Sequence, residues 1–329
     1  MMFLIVVITG SLITISSNSW MSMWIGLEIN LLSIIPLLSE KGYTDSAEAS
    51  IKYFITQVTA SNIMLFAVIC MLFNNEQVNN DFHLMTMIQS ALLIKIGAAP
   101  FHAWLPEVMD GLSWANCLII LTWQKIAPMI ILMMIIKQEM FSYMIILLSS
   151  MIGSVMGFNQ ISLRKIMAYS SINHMGWMIA AMLSMKSIWI FYFSIYSAIS
   201  INIIWIFHLL NLKNINQIAC LFSNSKMTSL LFSMNFLSLG GLPPFIGFLP
   251  KWFTIQQLIL MNNHILALLL ILLTLIAMFF YLRMSIIPMV LANQQDLLKI
   301  PKKVNFIVIL TNLVSLSSLA IVGVLMSPL

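Results

Sequence analysis

Residues Pro100-Phe-His-Ala-Trp-Leu-Pro106 and Pro244-Phe-Ile-Gly-Phe-Leu-Pro250 share one pattern, P-F-x-x-aromatic-L-P, at a spacing of 144 residues. Each follows a run of small residues, Gly97-Ala98-Ala99 in the first case and Gly240-Gly241 in the second. Each also interrupts an apolar stretch. Proline removes a backbone donor and clashes with the preceding turn, so both stretches predict a helix broken inside apolar sequence. Such a break leaves carbonyls and amides free for water or a charged side chain. Paired interrupted helices at corresponding places in two halves of a chain point to a transport site.

The rest of the chain fits a bilayer. Of its 329 residues, 61% are hydrophobic and only 8% charged, where a soluble domain carries roughly a quarter charged residues. Its 15 basic and 10 acidic side chains cannot clothe a soluble fold of this length, so lipid must cover the remainder. A spanning helix needs about 20 apolar residues, because in lipid every backbone polar group is satisfied internally. Apolar runs predict eleven helices, near 2–16, 20–38, 51–73, 84–106, 113–136, 141–159, 166–184, 188–210, 228–260, 265–291 and 304–326. The predicted fold is all-α, a polytopic transmembrane helical bundle forming a single transmembrane domain over 1–329. The breaks fall in the fourth and ninth helices, five apart, so equivalent segments run in opposite directions. This predicts an inverted repeat, about 1–136 against 137–291, with the helix at about 304–326 appended.

Alternate connections lie on alternate sides. The side of the N-terminus collects Lys41, Lys52, Arg164, Lys165, Lys213, Lys226, Lys299, Lys302 and Lys303, and the other only Lys137 and Lys186. Positive charge concentrates on the inner side, which places the N-terminus in the cytoplasm or in its organellar equivalent, the matrix. The first apolar segment starts at Met1 with neither signal-peptide flanks nor an Arg-rich transit peptide. With 28 methionines and only two arginines, the composition resembles a translated A/T-rich genome, in keeping with synthesis inside an organelle.

Several function classes are excluded on this reading. The net charge of +5 is spread along the chain, so no nucleic-acid partner is expected. Cys70, Cys117 and Cys220 are far apart without a CxxC pair, and free thiols in apolar stretches behave as small hydrophobes. Neither a disulfide framework nor a zinc or iron–sulfur site is expected. No GxGxxG, Walker loop or haem-ligand histidine pair is present, so no nucleotide or electron carrier is expected in this chain.

Four charges fall inside predicted spans: Glu28 in the second, Lys95 before the first break, Lys125 near the middle of the fifth, and Lys251 directly after the second break. A charge at the bilayer centre costs about 2.5–3.5 kcal/mol. Four unpaired ones would cost on the order of 10 kcal/mol, comparable to the whole stability of a domain. Burial disfavours the charged form of an ionisable group and an adjacent opposite charge favours it. A Glu28–Lys95 pair would therefore change proton occupancy when Lys125 changes charge, which is the physics of a proton relay. Lysine cannot bind Na⁺ or K⁺, so the expected ion is the proton. The alternative for Lys251 is snorkelling to the interface. His174, mid-span, titrates in the physiological range and is a secondary candidate, as is His102 in the first break. His83 and His264 are expected in loops, and Glu107 and Asp110 as loop anchors.

Five stretches carry a family resemblance: Met23-Trp-Ile-Gly-Leu-Glu-Ile-Asn30, Lys95-Ile-Gly-Ala-Ala-Pro-Phe-His-Ala-Trp-Leu-Pro-Glu107, Leu121-Thr-Trp-Gln-Lys-Ile-Ala-Pro128, Arg164-Lys-Ile-Met-Ala-Tyr-Ser-Ser171 and Leu239-Gly-Gly-Leu-Pro-Pro-Phe-Ile-Gly-Phe-Leu-Pro-Lys-Trp252. In order and spacing they resemble the antiporter-like chain 2 subunits of mitochondrial NADH:ubiquinone oxidoreductase (complex I), in an insect-like or other invertebrate version. The resemblance runs from about residue 20 to 290. It implies a place in the membrane arm, in the mitochondrial inner membrane, as a subunit of a proton-translocating enzyme whose partners are the neighbouring complex I subunits and membrane lipids. It also implies Glu28 and Lys95 as a coupled pair, Lys125 as the central lysine and Lys251 as the exit-side lysine. NADH, FMN, the iron–sulfur clusters and ubiquinone would bind other subunits, with no cofactor in this chain. Longer relatives have three more N-terminal helices, and Met1 here matches the start of the fourth. The alternatives are a stand-alone cation/proton antiporter of the same fold, which normally needs a cluster of embedded carboxylates, and a structural spacer that moves nothing.

Overall fold

A backbone that must bond to itself in lipid is left with helices or a closed barrel, and this chain takes helices. The computed structural model describes residues 2–39, 44–73, 81–136, 140–220, 226–243 and 245–291. Contacts divide the chain into two compact units, Met1–Ser142 and Tyr143–Leu329. The first holds α1 (Met2–Ser16), α2 (Trp20–Leu38), α3 (Thr44–Phe73), α4 (Asp81–Ile96), α5 (Trp104–Gly111), α6 (Trp114–Leu121) and α7 (Trp123–Ile135). Helix α8 (Met140–Gly157) opens at the boundary. The second unit continues with α9 (Leu163–Ser184), α10 (Lys186–Leu210), α11 (Asn216–Cys220), α12 (Lys226–Gly240), α13 (Phe248–Leu260) and α14 (His264–Leu291). Among the described residues the one β-type pairing is an isolated bridge between Ser162 and Asn214.

Six of these segments are long and apolar enough to cross a membrane: Trp20–Leu38, Thr44–Phe73, Trp114–Ile135, Met140–Gly157, Lys186–Leu210 and His264–Ile286. Large apolar side chains cover their outer faces, among them Ile51, Phe66 and Leu275. Water would not tolerate such a surface. The helix at about 304–326 with Lys299, Lys302 and Lys303 lies outside the described residues, as do Lys41, Lys137 and Pro244.

Local sequence moves several expected boundaries. Helix α3 begins at Thr44 rather than near 51, because Asp45 in its first turn complements the positive end of the helix. The fifth expected span bends at Thr122 (φ −115°, ψ −73°), whose Oγ1 donates to the Leu118 carbonyl at 2.7 Å. Such back-bonding commonly bends a helix. His83 lies in α4 and His264 opens α14, so neither is in a loop. Glu107 and Asp110 sit on α5.

Both expected breaks are present, and the same backbone device makes each. After α4, Gly97 takes φ +77°. Its N–H reaches the Ile94 carbonyl at 3.1 Å, and that of Ala98 reaches Leu93 at 3.1 Å. After α12, Gly241 takes φ +81°, with its N–H on Ser238 at 3.0 Å and that of Leu242 on Leu237 at 3.3 Å. Each pair of bonds is a Schellman cap, and only glycine adopts that φ without a Cβ clash. The correspondence continues through the gap. Phe101 bonds back to Ala98 as Phe245 does to Leu242, and Leu105 to His102 as Leu249 does to Ile246.

Small residues let the flanking helices touch. A Cβ at Gly26 of α2 would lie 2.9 Å from the Thr14 nitrogen of α1, and one at Gly10 would lie 3.0 Å from the Asn30 nitrogen. Small residues at the crossing let two backbones approach closely, which is how helices associate where lipid supplies no hydrophobic drive.

Candidate functional site

In the first unit, Glu28 lies on α2 next to the Gly26 crossing, Lys95 on the last turn of α4, and Lys125 on α7. Helix α7 packs against both α2 and α4, so Glu28 and Lys95 stand on two helices that each touch the helix of Lys125. Lys95 and Lys125 are buried at 7% and 2% exposure, whereas Glu28 is half-buried. Glu28 and Lys95 are the oppositely charged members of this group. The two make no direct bond, and the Lys95 ammonium has no hydrogen-bond partner among the described residues. The Lys95 carbonyl accepts from Gln57 of α3 at 3.4 Å, and Trp104 of α5 bonds the Ile94 carbonyl at 3.0 Å. The end of α4 is thus held from two sides while its charge stays uncompensated by contact.

In the second unit Lys251, on the first turn of α13, is buried at 6% exposure. Its Nζ donates to the carbonyls of Gly240 at 2.7 Å and Leu239 at 3.3 Å across the break. These are carbonyls that the end of α12 leaves without partners, and a cation there also complements the helix dipole. The ammonium lies 5.8 Å from the centre of the Trp177 ring on α9, within cation–π range. Lys251 therefore does not snorkel. His174 stands one turn before Trp177 on the same helix. Its Nδ1 shares a hydrogen bond with the Tyr192 hydroxyl of α10 at 2.9 Å, and the Tyr196 ring is 5.1 Å away. His102 is half-buried, and its ring bonds the nearby Pro100 carbonyl at 3.2 Å, with no direct bond to the buried lysines. Three or more His, Cys, Asp or Glu that could hold a metal do not cluster among the described residues.

The family described as NADH:quinone oxidoreductase/Mrp antiporter, TM, matches residues 17–277. NADH-ubiquinone oxidoreductase chain 2 of Anopheles gambiae is 47% identical over 98% of this chain and 96% of its own length. The same protein of Locusta migratoria is 40% identical over 97% and 93%, and that of Didelphis virginiana 41% over 83% and 81%. The chain belongs to the NADH-ubiquinone oxidoreductase chain 2 family. Its fold is shared more widely. A chain of respiratory complex I from Thermus thermophilus superposes with a TM-score of 0.84 at 20% identity, covering 98% of this chain and 78% of that one. A chain of the Mrp complex from Dietzia sp. gives 0.81 at 14% identity, covering 98% and 75%.

For a chain 2 family member, some polar residues around the buried lysines carry no charge to betray them. Gln124, the neighbour of Lys125, donates to Asn30 of α2 at 2.8 Å, and Tyr53 of α3 reaches its Oε1 at 3.5 Å. This amide bridge ties together the helices of Glu28 and Lys125. The available signal was an amide inside an apolar helix, which is costly to bury unless bonded. On α9, Asn173 is fully buried, and neither of its side-chain polar atoms has a hydrogen-bond partner among the described residues. Trp177 had no signal at all, since its role depends on where α13 returns.

Proposed function

We propose that this chain is a membrane-arm subunit of mitochondrial NADH:ubiquinone oxidoreductase that carries protons through Glu28, Lys95, Lys125 and Lys251. The observation that carries the reading is the burial of all three lysines, at 7%, 2% and 6% exposure, in a family whose named relatives are chain 2 of that enzyme. Lys251 also closes the end of a broken helix, but the Lys95 ammonium has no hydrogen-bond partner among the described residues. A buried charge is weak evidence for stability, so a role for its proton is the better account of Lys95.

On this reading, quinone reduction in another subunit perturbs the through-space coupling of Glu28 and Lys95. The balance of charge then shifts at Lys125, and a proton moves on towards Lys251 and out. His174 is a secondary member, held by Tyr192. NADH, FMN, the iron–sulfur clusters and ubiquinone are bound by other subunits. The chain sits in the inner membrane with its N-terminus on the matrix side, among neighbouring membrane-arm subunits and lipids. Its halves, about 1–136 and 137–291, are inverted repeats, a reading supported by the matching caps at Gly97 and Gly241.

The deciding experiment is Lys125→Met in the assembled enzyme, reconstituted in sealed vesicles, with protons moved per NADH oxidised as the readout. The ratio is expected to fall. An unchanged ratio removes Lys125 from the relay.

A further inference from the structure

Helix α3 carries none of Glu28, Lys95 and Lys125, yet one of its faces touches the helices of all three. Tyr53, Gln57 and Ser61 recur every four residues, which sets them on one face, and they are buried at 3%, 4% and 0% exposure. Gln57 donates to the Lys95 carbonyl of α4 at 3.4 Å. The Ser61 carbonyl accepts from the Trp24 indole of α2 at 3.0 Å, one turn before Glu28. Tyr53 makes two contacts. Its hydroxyl donates to Gln124 Oε1 of α7 at 3.5 Å, beside Lys125. Its ring stands edge-on to Trp104 of α5, with centres 5.7 Å apart at 68°. The Trp104 indole in turn donates to the Ile94 carbonyl at 3.0 Å, beside Lys95. One side chain thus meets both the neighbour of Lys125 and the residue that holds the backbone next to Lys95.

The hydroxyl does something the ring cannot. An amide has a donor end and an acceptor end, so its neighbours decide which way round it sits. Tyr53 supplies a proton, which turns Gln124 Oε1 towards α3. Gln124 Nε2 is then directed at α2, where it donates to Asn30 Oδ1 at 2.8 Å. A phenol and two amides on three helices are thereby aligned in one sense, and bonds in such a chain polarise one another. We propose that Tyr53 is a positioning residue of the relay: its hydroxyl orients the Gln124 amide beside Lys125, while its ring seats Trp104 against the end of α4. This rests on the reading of Lys95 and Lys125 as relay members. A Tyr53 that only filled space would need its ring alone, and phenylalanine supplies the same ring.

The test uses the assembled enzyme in sealed vesicles, with protons moved per NADH oxidised measured across a range of pH. The variants are Tyr53→Phe, Gln124→Leu, the two combined, and Lys125→Met as the reference for a lost relay member. Tyr53→Phe keeps the ring and removes one hydroxyl. Its ratio is expected to fall to a value between the parent and Lys125→Met, with its pH profile displaced from the parent's. Because the hydroxyl acts through Gln124, the double variant should match Gln124→Leu alone, since two changes on one contact do not add. A parental ratio and pH profile in Tyr53→Phe, with Lys125→Met lowered, overturns the positioning role and leaves the relay standing. An unlowered ratio in Lys125→Met overturns the relay and the positioning role with it. Losses that add in the double variant also overturn the proposal, because the hydroxyl would then act apart from Gln124.

Discussion

The Lys251 ammonium and the Gly240 carbonyl are bonded at 2.7 Å across the gap between α12 and α13. One side chain therefore both carries the buried charge and closes the end of a broken helix. Its two roles are separable by measurement. Lys251→Met leaves the carbonyls of Gly240 and Leu239 buried without a donor, at a cost of about 1–3 kcal/mol. The assembled enzyme should lose activity at a lower temperature than the parent and also move fewer protons per NADH. Fewer protons per NADH with thermal inactivation unchanged would show that the bond to these carbonyls contributes nothing to stability.

The second break has no room for a side chain at Gly247. A Cβ there would overlap the Ser238 carbonyl of α12, and backbone cannot step aside as a flexible side chain can. Gly247→Ala is expected to cost about 1–3 kcal/mol through overpacking. Native gels should show less of the chain in its assembled form. A normal yield with normal thermal stability would mean that the break relaxes freely.

Helix α1 is pinned to α2 at Gly26, two residues before Glu28. A Cβ at Gly26 would lie 2.5 Å from the Thr14 methyl and 2.9 Å from the Thr14 nitrogen. Gly26→Val must push the helices apart, and Gly26→Val with Thr14→Ala, which removes one obstacle, should recover only part of the loss. Thermal inactivation of the two variants reads this directly. Full recovery would show that the backbone contact contributes nothing.

The Gln124–Asn30 bond, 2.8 Å long, ties α7 to α2. Gln124→Leu leaves the Asn30 carbonyl oxygen without that donor and should cost about 1 kcal/mol. Because the bridge only positions the helices of Lys125 and Glu28, protons moved per NADH should fall to a value between the parent and Lys125→Met. A ratio as low as that of Lys125→Met would instead make Gln124 part of the relay itself.

Much of this architecture is legible in the sequence because lipid makes punctuation conspicuous. Gly97 and Gly241 stand out among apolar runs, and the P-F-x-x-aromatic-L-P pattern that follows them marks both breaks. The buried lysines are legible for the same reason, since each charge in an apolar run demands an account. What stays hidden depends on partners distant in the chain. The capping role of Lys251 follows from how α13 folds back on α12, and Trp177 matters only through the return of α13 towards α9. Glu107, an expected loop anchor, lies on α5 and meets Lys52 of α3, a partner 55 residues away that hydropathy does not reveal. Thr122 bends its helix through a hydroxyl bond that composition alone does not forecast.

The matched caps at Gly97 and Gly241 have a further consequence. Counting the same number of residues from each, position 107 holds glutamate and position 251 lysine, while position 95 holds lysine and position 239 leucine. One turn of backbone is thus present twice with different charges around it. The shape of the turn does not dictate the charge it carries. Each copy can be polarised differently while the turn itself stays the same.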